Sequence, residues 1–131
     1  MGKSYLLGPD RNNVVKLDVY YSMDPFFREI NKEDGVRMAT VDEITAMKID
    51  VIQRGGRKKE FWDLHELLNS YNINDMIALH RERFEWTHDE LLICQNFTSF
   101  SEADLEPDPI CLEGKYWEFI KEDIEEAVKN R

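Results

Sequence analysis

RMATVDEITAMKIDVIQRGGRKKEFWDLHELL, residues 37–68, is the stretch that decides how this chain folds. Thr40 with Glu43 three residues on is a capping box, and a helix opens there. Ile44, Met47, Val51 and Ile52 recur at helical spacing and supply its apolar stripe. Gly55–Gly56 ends it, as glycine does at a helix C-terminus. A second helix follows from about Arg57 to Ser70 and buries Phe61, Leu64 and Leu68, with Tyr71 next in line. Between the two lies a corner with four cations, Arg54, Arg57, Lys58 and Lys59.

Upstream, the pattern changes period. Val15, Leu17, Val19 and Tyr21 alternate with Val14, Lys16, Asp18 and Tyr20, which predicts a strand over residues 13–21. Residues 26–31 read as a second strand, and residues 35–39, after Gly35, as a third. Residues 1–12 read as an N-terminal arm. Downstream, Asn72 caps a third helix carrying Ile73, Met76, Ile77, His80 and Phe84. Thr87 with Glu90 predicts another capping box and a short helix through Leu91 and Leu92. Residues 97–109 form an acidic, proline-containing loop, and Trp117, Ile120, Ile124, Ala127 and Val128 stripe a last helix. The expected architecture is α+β: a small sheet followed by about five helices, one domain over residues 1–131.

The chain is 42% hydrophobic and 34% charged, which is a globular composition. Its net charge of −10 disfavours non-specific DNA binding and anionic membranes. No apolar run is long enough to cross a bilayer. Cys94 and Cys111 fit no zinc spacing and read as free thiols in a reducing cytoplasm.

Four features bear on chemistry. Lys48 flanks the first helix's apolar stripe; it either snorkels or offers its ammonium to a phosphate. Arg54, Arg57, Lys58 and Lys59 are either a solvated run at a helix end or an anion cradle. Asp63 lies four residues after Lys59, a salt-bridge spacing that also suits an acid orienting a lysine. Asp18 sits mid-strand between Leu17 and Val19, facing solvent or holding a metal ion. One carboxylate is a weak metal signal by itself. His65, His80 and His88 show no paired metal spacing, and no serine or cysteine has a histidine partner, which leaves hydrolase readings unsupported.

The words VKLDVYY, GVRMATVDEITAMKIDVIQRGGRKKEFWDLHELL, NINDMIALHRERF, NFTSFSEADLEPDP and YWEFIKEDIEEAV together resemble the C-terminal part of the AbiEii/AbiGii toxin family of nucleotidyltransferases. The resemblance covers residues 13–131. It implies a nucleotidyltransferase-like fold in which Asp18 is the third acid and a metal ligand, Lys48 contacts the nucleotide, and Asp63 belongs to a later catalytic motif. Read as an anion cradle, Arg54, Arg57, Lys58 and Lys59 are then candidate nucleotide-binding residues beside Lys48. Relatives carry aspartate where Glu60 stands, a shorter arm with the same charge.

In that family a Gly–Ser motif and paired carboxylates precede the third acid, whereas only 17 residues precede Asp18 here, with Asp10 their sole acid. The expectation is therefore a truncated nucleotidyltransferase-like protein of the bacterial cytoplasm. It is not competent alone, but retains nucleotide or partner binding. One alternative is half of a two-part enzyme that moves a nucleotide from a nucleoside triphosphate to RNA or protein with Mg²⁺. The other is an interaction remnant that forms a homodimer. An antitoxin or a complementary protein is the implied partner.

Overall fold

The structure, a computed structural model, describes residues 2–131. The α+β expectation stands: two small antiparallel sheets are followed by five helices. Strand β1, Gly2–Leu7, pairs with β2, Val15–Tyr20, so the expected N-terminal arm is largely strand. Gly8 lies where the loop closes, and a Cβ there would meet the Asn13 carbonyl oxygen at 1.9 Å. Strands β3, Asn31–Glu33, and β4, Val36–Met38, form a second hairpin. Its two-residue loop, Asp34–Gly35, has positive φ at both positions (51° and 78°), the conformation of a tight hairpin turn.

The expected strand over residues 26–31 is not formed except at its last residue. Its amides have another destination. The backbone N–H groups of Phe27 and Arg28 both donate to Glu43 Oε1 at 3.0 Å. A segment whose donors are taken by a side chain has none left for a ladder.

Helix α1 spans Val41–Gln53, α2 Lys58–Leu67, α3 Ile73–Arg83, α4 Glu90–Asn96 and α5 Trp117–Lys129. Thr40 caps α1, its hydroxyl accepting from the Glu43 amide. Only this half of the capping box is used, because the Glu43 carboxylate turns inward. Gly55, at φ 103°, takes the chain out of α1 in the left-handed region. Asn72 and Asp75 form a reciprocal box at α3. The cap of α4 is Asp89 rather than Thr87: the Asp89 carboxylate accepts from the Leu92 amide at 3.1 Å.

Ile49, Ile52, Phe61, Leu64, Met76, Ile93, Phe97 and Ile124 are all fully buried and form one core with Trp117 and Ile120. The α5 stripe is as expected. The α1 stripe is not. Ile44 and Met47 are exposed, and the buried side carries Glu43, Thr45, Ala46, Ile49 and Ile52. Leu91 and Leu92 also face out, leaving Ile93 as the buried residue of α4.

Glu43 is wholly buried, and its second oxygen accepts from Arg83 Nε, itself almost buried. Removing one partner of such a pair leaves the other uncompensated in a low dielectric. We expect Glu43→Ala to lower the unfolding free energy by about 3–5 kcal/mol, measured by urea denaturation. Lys59→Ala, on the surface, should change it by less than about 0.5 kcal/mol.

Candidate functional site

The outward face of α1 carries Ile44, Met47 and Lys48. Lys48 Nζ lies 2.7 Å from Asp63 Oδ2, so the ion pair of Asp63 reaches across to α1 instead of back to Lys59. The nearest carboxylate to Lys59 is Glu60, at 4.0 Å, and its ammonium is largely in solvent. Asp18, on β2, accepts from the Ser4 hydroxyl at 2.6 Å across the hairpin and lies 3.6 Å from Lys16. Its carboxyl is held below the usual carboxylate range, first by the Ser4 hydroxyl and then by the Lys16 and Lys59 ammonium groups. Lys59 is thus within electrostatic reach of Asp18.

The cationic island divides. Arg57 Nε donates to Glu106 Oε2 at 3.0 Å, and the Lys58 amide to Glu106 Oε1 at 3.1 Å. The Lys58 ammonium is buried, bonded to the Glu106 carbonyl (2.6 Å) and Asp108 (3.0 Å), and lies 5.1 Å from the centre of the Trp117 ring. The Glu106 carboxyl is pulled below its ordinary range by the Lys58 amide first, then by Arg57. Arg57 and Lys58 therefore fasten the acidic loop to the N-terminus of α2. Glu60 is occupied too, its carboxylate accepting from the Arg57 amide at 3.0 Å. Arg54 remains on the α1 side, paired with Asp50 at 3.3 Å.

Between α1 and the end of α3 lies a cleft of about 320 Å³ whose walls include Met47, Lys48, Asp50, Val51, Arg54 and Phe84. That volume is at the small end of ligand pockets. Its lining places an aromatic ring and two apolar side chains beside three cations, Lys48, Arg54 and Arg83, and two carboxylates, Asp24 and Asp50. Asp50 is held in this wall from behind. His80 Nε2 lies 3.0 Å from Asp50 Oδ1, and His80 Nδ1 lies 2.7 Å from His88 Nδ1. Two neutral rings satisfy both contacts, with His80 donating to Asp50 and His88 donating to His80. Burial pushes the protonation of both below the ordinary imidazole value of 6.5.

Sequence reasoning missed Asp50, Phe84 and the His80–His88 contact as parts of one wall. The i, i+4 spacing of His80 and Phe84 was visible, but the link from α3 to Asp50 on α1 is not a spacing at all.

A Mg²⁺ ion takes one or two carboxylates together with phosphate and water oxygens. Asp18 offers one, already engaged by a hydroxyl and next to two ammonium groups. Among the described residues no group of three or more His, Cys, Asp or Glu side chains gathers to hold a metal ion. These residues do not by themselves complete a Mg²⁺ site.

Fold and site define a small α+β protein that sets the Lys48–Asp63 ion pair beside a cleft of mixed polarity. The model of the AbiEii family, described as the nucleotidyl transferase AbiEii toxin of type IV toxin–antitoxin systems, matches residues 5–130. The chain belongs to that family and is a nucleotidyltransferase-like member of a toxin–antitoxin system. No curated protein and no solved structure matches it. No helix among the described residues is long and apolar enough to cross a membrane.

The paired histidines give a pH dependence with a defined sign. Their folded-state affinity for protons is below that of the unfolded chain, so the unfolded state takes up protons first as pH falls. Their contribution is fully present well above pH 6.5 and is lost progressively below it. We expect the urea midpoint to fall between pH 7.5 and pH 5.5, by less in His88→Gln than in the wild type. Equal midpoints at the two pH values in the wild type would contradict this.

Proposed function

We propose that this chain is a nucleotide-binding, nucleotidyltransferase-like protein of the bacterial cytoplasm, and that it does not transfer a nucleotide on its own. The observation that carries the reading is the cleft beside Lys48. Lys48 and Arg54 stand on its polar rim, while Met47, Val51 and Phe84 give a surface against which a base can lie. Lys48 is already oriented by Asp63, and its ammonium is a compact charge suited to phosphate oxygens. Lys59, weakly engaged, adds a second ammonium on the side of Asp18. Arg57 and Lys58 stand outside this reading because the acidic loop occupies them. Lack of transfer by the isolated chain is supported by the donor set: among the described residues no group of three or more His, Cys, Asp or Glu side chains gathers to hold a metal ion.

A second reading has its own support. The β1–β2 hairpin that carries Asp18 is exposed along its whole length. A complementary chain supplying further carboxylates could join it there, making a two-part enzyme that uses Mg²⁺ and a nucleoside triphosphate on RNA or protein. The same hairpin supports self-association, and family membership carries the expectation of an antitoxin.

Thermal melts with each of the four nucleoside triphosphates test the first reading. At a hundred times the dissociation constant, a ligand stabilises by about 2.7 kcal/mol, a rise of several degrees for a domain of this size. The wild type should show that rise with at least one triphosphate, and Lys48→Ala should lose it. The variant's own melting point should stay near that of the wild type, because an exposed pair such as Lys48–Asp63 contributes little. An unshifted wild type, or the same shift in both proteins, would remove the pocket from consideration.

A further inference from the structure

The two faces of the β1–β2 hairpin differ sharply. Directly opposed residues share a face in an antiparallel pair, so the register puts Lys3 with Val19, Tyr5 with Leu17, and Leu7 with Val15 on one side. Gly2 with Tyr20, Ser4 with Asp18, and Leu6 with Lys16 occupy the other, where Leu6 and Tyr20 are the two large apolar residues. The first side is the apolar one. Tyr5, Leu7, Val15, Leu17 and Val19 are 44–70% exposed there, and Tyr21 continues the row at 78%.

Such a patch is on the order of 500 Å² or more, which soluble monomers seldom leave bare and which approaches the roughly 800 Å² per partner of a standard interface. A two-stranded ribbon is also marginal in water unless something packs on it.

We propose that this face is covered by the same face of a second copy. The two hairpins pack apolar side to apolar side about a twofold axis, as a two-layered sandwich of four strands. Charge selects the occupant. The chain carries −10, so two copies repel over most of their surfaces. Residues 2–21 are different, with Lys3, Arg11 and Lys16 against Asp10 and Asp18. The apolar row contains no carboxylate, and its only charge is Lys3 at one end. This is where two acidic molecules can meet without opposing acids. The twofold contact also leaves Asp18, on the other face of the sheet, open to ligand. The inference deepens the self-association reading and is independent of nucleotide binding.

Sedimentation velocity across the micromolar range, with no nucleotide present, is the test. The wild type should pass from monomer to dimer with rising concentration. Leu17→Thr/Val19→Thr keeps β-branched residues in the strand but removes apolar surface. It should weaken dimerisation at least about tenfold, with circular dichroism unchanged. Lys16→Ala, on the opposite face, should dimerise like the wild type. A wild type that stays monomeric throughout would overturn the proposal, leaving the face to a different partner. So would a dimer that the double variant leaves intact, or one that Lys16→Ala weakens equally.

Discussion

The rest of the structure depends on one buried carboxylate. Glu43 has no exposed surface and accepts two backbone N–H bonds, from Phe27 and Arg28, together with the Arg83 guanidinium. Removing a carboxylate from water costs several kcal/mol, so it persists inside only when its lone pairs are filled. Here the groups that fill them come from two places in the chain, both distant from Glu43 itself. The loop after the first hairpin, the start of α1 and the end of α3 are drawn to one point. Arg28 extends the knot on its other side, donating to Asp42 and, through both terminal nitrogens, to Glu82. Tyr71 adds its hydroxyl to Asp42 at 2.5 Å. The strand-bearing half of the molecule is thereby tied to the helical half by charge-assisted hydrogen bonds, with little apolar contact.

A second such device sits at the opposite end of α1. Lys58 loses its hydration, but it gains a carbonyl, a carboxylate and the face of Trp117. The acidic loop it holds also receives Trp117 Nε1 and Lys121 at Asp104. An acidic run and a basic run that look like two solvated surfaces in the sequence are, in good part, one internal contact. The consequence reaches the site: of four cations at the corner, Arg57 and Lys58 serve the fold, while Arg54 lines the cleft with Lys48.

How much of this could be read from the sequence follows from the range of each interaction. Helices α3 and α5 were legible because caps and period are local; Asn72 with Asp75, and the stripe from Trp117 to Ile124, need no knowledge of the rest of the chain. The face of α1 was legible only in part. Of the stripe Ile44, Met47, Val51 and Ile52, Ile52 is fully buried, and the partners of Glu43, 15 to 40 residues away, turn Ile44 and Met47 outward. The strand over residues 26–31 failed for the same reason, since its amides were claimed by that carboxylate. At the site, Lys48 and Asp63 were both singled out, but their contact was not, because i, i+4 arithmetic favoured Lys59. Asp50 escaped notice because nothing in its own neighbourhood marks it; its meaning comes from two histidines on later elements.

The hairpin is the part of the molecule held least by these devices. Its link to the knot at Glu43 is the segment from Tyr21 to Pro25, which forms no ladder. An element attached so lightly cannot set the position of Asp18 to the tolerance that in-line chemistry demands. Packing on the hairpin's apolar face would stiffen it, and with it the distance between Asp18 and the lysines of α1 and α2. In this family member, the geometry of the strand carboxylate is therefore a property of whatever covers the hairpin as much as of the chain that carries it.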